Sequence, residues 1–249
     1  MTKIYGHRGR AGTYPENSML AFEEAVKAGV HGLELDVHMT KDGEVVVIHD
    51  ATIDRTTSGS GYVRDYTLAE LEKFSIGAKY QEFKNYESSW NKQHIPTLMD
   101  VLKIAKAHDL EVNIELKSHE VEYLGFEEAV LKTVAATGID PQKIIYSAFH
   151  LPTILRLKKL DEFVQIAWLL ETMIPLPADY LETFNLDAFH LDKKLVLEHP
   201  EYWRPFAKKI RIWTVNEKAD AQALINLGVA AIISDYPETL LEMDEYGRN

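Results

Sequence analysis

The sequence predicts an α/β fold, a parallel (β/α)8 or TIM barrel with a β-hairpin return after its second strand. Eight short apolar runs are typical of strands, and helical patterns lie between most of them, with a regular rhythm from residue 95 onward. A doubly wound sheet needs a GxGxxG turn after its first strand, and Gly6, Gly9 and Gly12 lack that spacing. The 249 residues, 46% of them hydrophobic, can bury one large core, so we expect a single domain over 1–249.

The stretch from residue 33 to residue 50 predicts the hairpin. Two apolar runs flank Asp42 and Gly43, a pair that typically forms a two-residue hairpin loop. Counting outward from this loop places Asp36 opposite His49, so the returning strand delivers an imidazole beside a carboxylate. A slip of one residue in the pairing would break that placement.

The remaining elements follow from apolar periodicity and from start and stop signals. The predicted barrel strands begin near Ile4, Leu33, Val112, Ile144, Val164, Ala188, Ile210 and Ala231. The predicted helices span residues 19–28, 126–136, 151–160, 200–208 and 218–227, and one more follows the N-cap Thr97. Residues 51–95 lack this rhythm. They are predicted to form an insertion packed over one end of the fold, because such long connections are more often lids or caps than linkers.

The amino-acid composition limits which partners and which cellular compartment are expected for this protein. The net charge of −12 does not suit contact with a phosphate backbone, so we expect no nucleic acid partner. The absence of cysteine excludes a disulfide framework, a thiolate nucleophile and a Cys-ligated zinc site. The amino-terminal segment lacks the apolar core of a signal peptide, and no apolar run approaches membrane-spanning length. The sequence therefore predicts a cytoplasmic protein without stable membrane insertion.

Acidic residues alternate with apolar ones along the second strand. Because successive side chains point to opposite faces of a strand, Glu34 and Asp36 share one face. Burying two carboxylates together costs free energy unless a cation or strong donors neutralise them. The third strand has the same alternation and contributes Glu115. Three carboxylates in a chain without cysteine favour a hard divalent cation, Mg²⁺ or Ca²⁺, held by oxygen ligands.

Cationic and imidazole side chains collect at the same end of the predicted strands. His7 and Arg8 follow the first strand. His49 returns on the hairpin, and Lys117 ends the third strand. Arg8 and Lys117 suit the oxygens of a phosphate. With a divalent cation and two imidazoles that can transfer protons, these are the parts needed for attack on a phosphodiester.

Several motifs together resemble the glycerophosphodiester phosphodiesterase family. They are HRG at 7–9, PENS at 15–18, ELDV at 34–37 with the returning IHD at 48–50, NIELK at 113–117 and WTVN at 213–216. The resemblance covers essentially the whole chain. It implies a small-molecule substrate, a glycerophosphodiester, which is hydrolysed to sn-glycerol 3-phosphate and an alcohol on a (β/α)8 barrel. The sequence leaves open whether the protein forms a homodimer.

The resemblance also implies roles for individual residues. His7 and His49 match the acid/base histidines of the family, and Trp213 matches an aromatic residue at the glycerol end of the substrate. The matched metal ligands are Glu34, Asp36 and Glu115, and the matched phosphate contacts are Arg8 and Lys117.

Other interpretations stay open from the sequence. A lysophospholipase D-type phosphodiesterase would use the same residues on a substrate that carries an acyl chain. A Schiff-base barrel such as an aldolase would use Lys117 as its nucleophile without a metal ion, which leaves the three acids unexplained. A non-catalytic binding barrel would keep the shape without turnover. The acids could also form a metal-free salt network with Arg8 and Lys117.

Overall fold

The centre of the protein is a closed barrel of parallel strands, seen in a computed structural model that describes residues 1–243. In chain order the strands are β1 (Lys3–His7), β2 (Gly32–Met39), β3 (Val45–Val47), β4 (Glu111–Leu116), β5 (Ile144–Ala148), β6 (Gln165–Leu170), β7 (Ala188–Asp192), β8 (Ile210–Trp213) and β9 (Ala231–Ser234). Strand β1 pairs in parallel with both β2 and β9, which closes the ring, and β3 pairs antiparallel with β2. The predicted eight-stranded barrel is confirmed.

Helices connect most of the strands. They are α1 (Met19–Ala28), α2 (Leu68–Leu71), α3 (Leu98–Ala107), α4 (Phe126–Thr137), α5 (Leu151–Leu160), α6 (Pro177–Thr183), α7 (Lys193–Glu198), α8 (Pro200–Trp203), α9 (Lys218–Leu227) and α10 (Pro237–Leu241). The predictions for α1, α5 and α9 match the structure. The helix predicted over 200–208 is shorter, because a 3₁₀ helix replaces it from Arg204 to Lys209. Helices α6, α7 and α10 were not predicted. They have only five to seven residues, which is too short for an apolar period to be recognised.

Helix α1 begins and ends at the residues that its sequence indicates. The Ser18 side chain accepts a hydrogen bond from the backbone N–H of Ala21 at 3.1 Å, which satisfies one of the free donors of the first turn. Gly29 adopts a φ of 84°, a left-handed conformation that ends the helix and that glycine adopts without strain. The buried Phe22 and Ala25 then hold α1 against the barrel, so the loop before it lies over the carboxyl end of β1.

The alternation of β2 places its two kinds of side chain on opposite faces. Leu33, Leu35 and Val37 lie in the main hydrophobic core with apolar residues of α1 and α3. Glu34 and Asp36 point the other way, into the barrel, and are equally buried. The core therefore fixes the strand in a register that leaves the two carboxylates inside.

The hairpin return is present, but its predicted register is wrong by one residue. Val37 pairs with Val47, and the N–H of Ile48 donates to the carbonyl of Asp36 at 3.0 Å, so Ile48 and not His49 lies opposite Asp36. His49 nevertheless reaches the cavity at the carboxyl end of the barrel. Because β3 ends at Val47, the chain beyond it no longer follows the alternation of the ladder.

The register differs because the hairpin loop has three residues and not two. The N–H of Thr40 donates to the carbonyl of Glu44 at 2.9 Å, which closes the pairing around residues 41–43. Gly43 has a φ of 86°, as expected for the glycine that ends a three-residue loop with a bulge. The Asp-Gly pair therefore predicts a turn correctly but does not fix its length.

The insertion at 51–95 builds a small hydrophobic cluster on the face of the hairpin that is turned away from the main core. The cluster contains Val46, Ile48, Ile53, Val63, Leu71, Ile76, Tyr80, Trp90 and Ile95. Its first two members belong to the returning arm of the hairpin, so the insertion is packed against the segment that delivers His49. Within residues 1–243, no helix combines the length and apolar character needed to cross a membrane.

One polar side chain lies deep in the barrel wall. His190 on β7 is fully buried beside Arg211 on β8, and neither ring nitrogen has a hydrogen-bond partner among the described residues. Burial, with the charge of Arg211 as a smaller cause, holds the pKa of His190 well below its ordinary value of 6.5. The imidazole is therefore neutral in the folded protein.

Replacing His190 by Gln should reduce the loss of stability in mild acid. Because the pKa of His190 is lowered by folding, its contribution is present above 6.5, the ordinary value, and is lost as the pH falls below it. The native protein should lose up to about 1.4 kcal/mol per pH unit from this group, and the variant should not. Urea unfolding at about pH 7.5, 6.5 and 5.5 measures the difference. The prediction would be contradicted if the unfolding free energies of the two proteins changed equally with pH.

Candidate active site

A cavity of about 100 Å³ opens at the carboxyl ends of the barrel strands. Seven of the eight predicted site residues line it, namely His7, Arg8, Glu34, His49, Glu115, Lys117 and Trp213. The eighth, Asp36, lies behind them, 3.2 Å from Arg8 Nε and 3.1 Å from Lys117 Nζ. The fold therefore brings the side chains that were singled out in distant segments into one place.

Three carboxylates meet on two adjacent strands. Asp36 of β2 lies opposite Glu115 of β4 in the parallel register, and Glu34 precedes Asp36 on the same face. Each of the three offers one oxygen within 4.8 Å of the others, and all three side chains are buried. A hard cation is the natural partner of such a set of oxygen donors, so the triad could hold a metal ion.

The three acids do not have equal electrostatic surroundings. Burial, and the nearby charges of Asp36 and Glu115, raise the pKa of Glu34 well above its usual range. Burial also acts on Asp36, but the Lys117 ammonium and the Arg8 guanidinium outweigh it and hold the pKa of Asp36 well below its usual range. Folding therefore makes Glu34 harder to ionise and Asp36 easier to ionise.

Lys117 and Arg8 partly neutralise the triad. Lys117 Nζ lies 2.7 Å from Glu115 Oε1, and the backbone N–H of Arg8 donates to Glu34 Oε2 at 3.1 Å. The same ammonium lies 3.1 Å from Asp36 Oδ1, so Lys117 bridges two of the three acids. Although burial lowers it, the pKa of Lys117 is raised overall by Asp36 and Glu115, so the ammonium stays charged.

The PENS segment supports these charges from the loop before α1. Asn17 is buried, and its Nδ2 donates to Asp36 Oδ2 at 2.9 Å. Glu16 Oε1 accepts a hydrogen bond from Arg8 Nη1 at 2.8 Å. The motif therefore does more than shape a loop, because it places one donor on a triad carboxylate and one acceptor on the arginine.

His7 is held by an aspartate from the last strand connection. Its Nδ1 lies 2.6 Å from Asp235 Oδ1, and Asp235 Oδ2 accepts from Asn216 Nδ2 at 2.8 Å. A carboxylate only accepts, so Nδ1 donates and Nε2 is the nitrogen left for other contacts. Nε2 lies 3.8 Å from Glu34 Oε2, which shows that it faces the triad.

His49 has the same kind of partner from its own neighbour. Its Nδ1 lies 2.6 Å from Asp50 Oδ1, so its Nε2 is also available. Two imidazoles, each oriented through Nδ1 by a carboxylate, therefore border one cavity. This is the arrangement in which one ring can accept a proton and another can donate one.

Sequence reasoning missed His38, which fixes the backbone of His49. His38 Nε2 lies 3.1 Å from the carbonyl oxygen of His49, and Nδ1 lies 2.8 Å from the hydroxyl of Tyr123. Because a carbonyl only accepts, Nε2 donates and the tyrosine hydroxyl donates to Nδ1. Burial lowers the pKa of His38 to about 4, so this neutral tautomer is the stable form. The signal was present, since His38 continues the alternation of Glu34 and Asp36.

A second cavity, of about 250 Å³, adjoins the first and shares His49, Lys117, Phe149 and Trp213 with it. The rings of Phe149 and Trp213 meet edge to face with centroids 5.7 Å apart. The wall beyond them is polar and contains His38, His119, Glu120 and Glu171. Trp213 therefore lies at the junction of the two cavities.

Comparisons with known proteins point to one family. Residues 7–239 match the model of the glycerophosphoryl diester phosphodiesterase family. The chain is 36% identical over 249 residues to a glycerophosphodiester phosphodiesterase of Caldanaerobacter subterraneus subsp. tengcongensis, with 99% of each chain covered. It is 34% identical to one of Bacillus altitudinis, covering 98% of this chain and 99% of the relative. An Oleispira antarctica phosphodiesterase, solved in complex with the product sn-glycerol-3-phosphate, superposes with a TM-score of 0.81 at 25% identity, covering 96% of this chain and 95% of that chain.

A (β/α)8 barrel with this family match and these relatives is an enzyme that hydrolyses phosphoric diesters. The chain belongs to the glycerophosphoryl diester phosphodiesterase family. The resemblance carried by the HRG, ELDV and NIELK motifs is therefore confirmed.

Replacing Glu34 by Gln should stabilise the metal-free protein at neutral pH. Because folding raises the pKa of Glu34 above its ordinary value of 4.5, its stabilising contribution is present below that value and is lost as the pH rises toward the raised pKa. Gln removes this loss, so the two unfolding free energies should diverge by up to about 1.4 kcal/mol per pH unit.

Urea unfolding in chelator at about pH 4.5, 6 and 7.5 measures this divergence. Glu23→Gln is a control, because Glu23 is exposed on α1. A Glu34→Gln variant that is less stable than the native protein at every pH would refute the prediction.

Proposed function

We propose that this enzyme hydrolyses glycerophosphodiesters to sn-glycerol 3-phosphate and an alcohol, with a divalent cation and with His7 and His49 as acid/base catalysts. The observation that carries the proposal is the convergence of the buried acid triad and two aspartate-oriented imidazoles on one cavity. The product in the similar Oleispira antarctica structure supports the choice of sn-glycerol 3-phosphate.

The triad fits a divalent cation. Three carboxylate oxygens lie within 4.8 Å of one another, and all three side chains are buried. Burial and the charges of Asp36 and Glu115 raise the pKa of Glu34, and a bound cation would oppose both effects. Glu34, Asp36 and Glu115 would hold Mg²⁺ or Ca²⁺, which both prefer oxygen ligands. When bound, such an ion stabilises negative charge on the phosphoryl oxygens.

The side chains of the protein account for binding and proton transfer. Arg8 and Lys117 lie at the cavity wall and attract the phosphodiester anion. One imidazole removes a proton from the nucleophile, which is water or the 2-hydroxyl of the substrate, as the new P–O bond forms. The other imidazole donates a proton to the alcohol oxygen as its bond to phosphorus breaks. If the 2-hydroxyl attacks first, water opens the resulting cyclic phosphate in a second step.

The two cavities suggest how the substrate lies. Trp213, Leu169 and Ile233 give the smaller cavity an apolar side that suits the carbon face of glycerol. The larger cavity then receives the leaving alcohol. Phe149 and Trp213 form one apolar side of it, but the wall beyond them carries His38, His119, Glu120 and Glu171, which do not suit an acyl chain, and the smaller cavity has no room for such a chain. A lysophospholipase D-type activity is therefore the weaker proposal.

The Schiff-base alternative does not suit Lys117. A nucleophilic lysine needs a lowered pKa, whereas Asp36 and Glu115 raise the pKa of this ammonium against the effect of burial. A non-catalytic barrel would not need imidazoles that are oriented toward the cavity. In this protein His7 and His49 are both oriented, each by an aspartate at Nδ1.

We also propose that residues 51–95 belong to the barrel domain, because the hydrophobic cluster of this insertion includes Val46 and Ile48 of the hairpin arm. The cytoplasmic location stays a prediction, and the oligomeric state stays open.

Release of sn-glycerol 3-phosphate from several glycerophosphodiesters tests the function. We expect turnover of the deacylated substrates with Mg²⁺ or Ca²⁺, loss of activity in chelator, and recovery when the ion returns, because a bound cation supplies charge stabilisation that no side chain replaces. Lysophosphatidylcholine should be turned over at least about tenfold more slowly. Activity that survives chelation would refute the metal requirement, and preference for the lysophospholipid would reverse the substrate assignment.

Variants should separate metal binding from proton transfer. Asp36→Asn and Glu115→Gln should abolish the heat of metal binding in calorimetric titration. His7→Ala and His49→Ala should keep that heat but lower kcat by about 10² to 10⁴. His108→Ala, at the exposed end of α3, is the matched control. Imidazole variants with native kcat would favour a binding barrel or a different acid/base pair.

A further inference from the structure

Arg55, at the start of the insertion, joins the two loops that border the active site. Its Nε and Nη2 donate to Asp50 Oδ2 and Oδ1 at 2.6 and 2.9 Å. Its Nη1 and Nη2 donate to Glu16 Oε2 and Oε1 at 2.8 Å each. One guanidinium therefore makes two-point contacts with two carboxylates, the geometry for which its planar fork is suited.

Each of these two carboxylates also contacts a residue of the active site. Asp50 is the residue that holds His49 Nδ1, at 2.6 Å. Glu16 accepts from Arg8 Nη1 at 2.8 Å, and Arg8 Nε lies 3.2 Å from Asp36 Oδ2. Groups of alternating charge thus run from the imidazole of His49 to a carboxylate of the acid triad, and Arg55 is the link between the two halves.

This link differs from an ordinary surface ion pair. The Arg55 side chain is 48% exposed, but its partner Glu16 is only 14% exposed, and both contacts are two-pointed. Isolated pairs on the surface contribute little, whereas bidentate arginine contacts within a charged network hold their partners in one geometry. The Asp50 carboxylate can rotate about its own side chain, so its two-point contact with Arg55 limits the orientations open to His49.

We propose that Arg55 is a positioning residue, which fixes the His49 imidazole relative to Arg8 and the acid triad without touching the substrate. The inference rests on the proposed function, in which His49 transfers a proton. It also gives the insertion a part in catalysis, since Arg55 belongs to the segment that follows the hairpin.

Two substitutions test the link. Arg55→Ala removes it, and Arg55→Lys keeps one positive charge but lacks the fork that grips both carboxylates. In both variants kcat should fall about 10- to 100-fold while KM changes less than about threefold, because orientation of the proton-transfer group is lost and the phosphate contacts remain. Metal affinity, measured by calorimetry, should not change.

Arg204→Ala is the matched control. Arg204 makes a similar two-point contact with Glu201, at 3.0 and 2.7 Å, and its side chain is 54% exposed, but it lines neither cavity. Thermal unfolding of all variants gives the folded fraction at the assay temperature. Native kcat in Arg55→Ala, full recovery in Arg55→Lys, or a loss that matches the unfolded fraction would each overturn the proposal.

A readout without turnover separates this inference from the proposed function. The ring NMR signals of His49, assigned with His49→Ala, should be single and sharp in the native protein and broadened or doubled in Arg55→Ala. Unchanged ring signals would overturn the positioning role whatever the activity. A native protein that releases no sn-glycerol 3-phosphate but shows the signal change would refute the proposed function and retain the structural role of Arg55.

Discussion

The burial of three carboxylates on two adjacent strands sets the arrangement of the other charged groups around the cavity. Separated charges in a low-dielectric interior carry a large cost, so each acid needs a nearby donor or cation. Lys117 and Arg8 supply two positive charges, and Asn17 adds a neutral donor. Burial, together with the charges of Asp36 and Glu115, still raises the pKa of Glu34. The alternation of β2 and β4 thus builds into the barrel a carboxylate cluster that a further cation would stabilise.

Each of the two imidazoles is oriented by an aspartate at its Nδ1, but the two aspartates come from unrelated parts of the chain. Asp235 reaches His7 from the segment after the last strand, whereas Asp50 is the immediate neighbour of His49. His7 is carried by a barrel strand, so its position follows from the ring of parallel pairing. His49 lies beyond the end of β3 and depends on side chains, including His38 at its carbonyl. Rigidity on one side of the cavity therefore comes from the sheet, and on the other from hydrogen bonds and ion pairs.

Most of the fold and of the candidate site could be predicted from the sequence, because both follow from short repeats of apolar and polar residues along the strands and helices. Alternation assigned Glu34 and Asp36 to one face, and the parallel barrel placed strand ends at one rim. The hairpin register failed because an Asp-Gly pair is compatible with loops of two and three residues. The Arg55 contacts had no sequence period to reveal them, since they join loops whose paths depend on packing against the insertion. Helices α6, α7 and α10 were not predicted, because they are too short for an apolar period to be recognised.

The ionic groups occupy only part of the cavity wall. The triad, the cations and both imidazoles come from β1, the hairpin and β4, while Phe149, Leu169, Trp213 and Ile233 face them from the opposite arc of the barrel. Asp235 and Asn216 also belong to that arc, and they hold His7, so they are tied to the charged side of the cavity. The other residues of that arc can change without altering these charges. Diversification among descendants of this enzyme would therefore be concentrated at residues such as Phe149 and Leu169, where new shapes accommodate different substrates while the charged side is inherited intact.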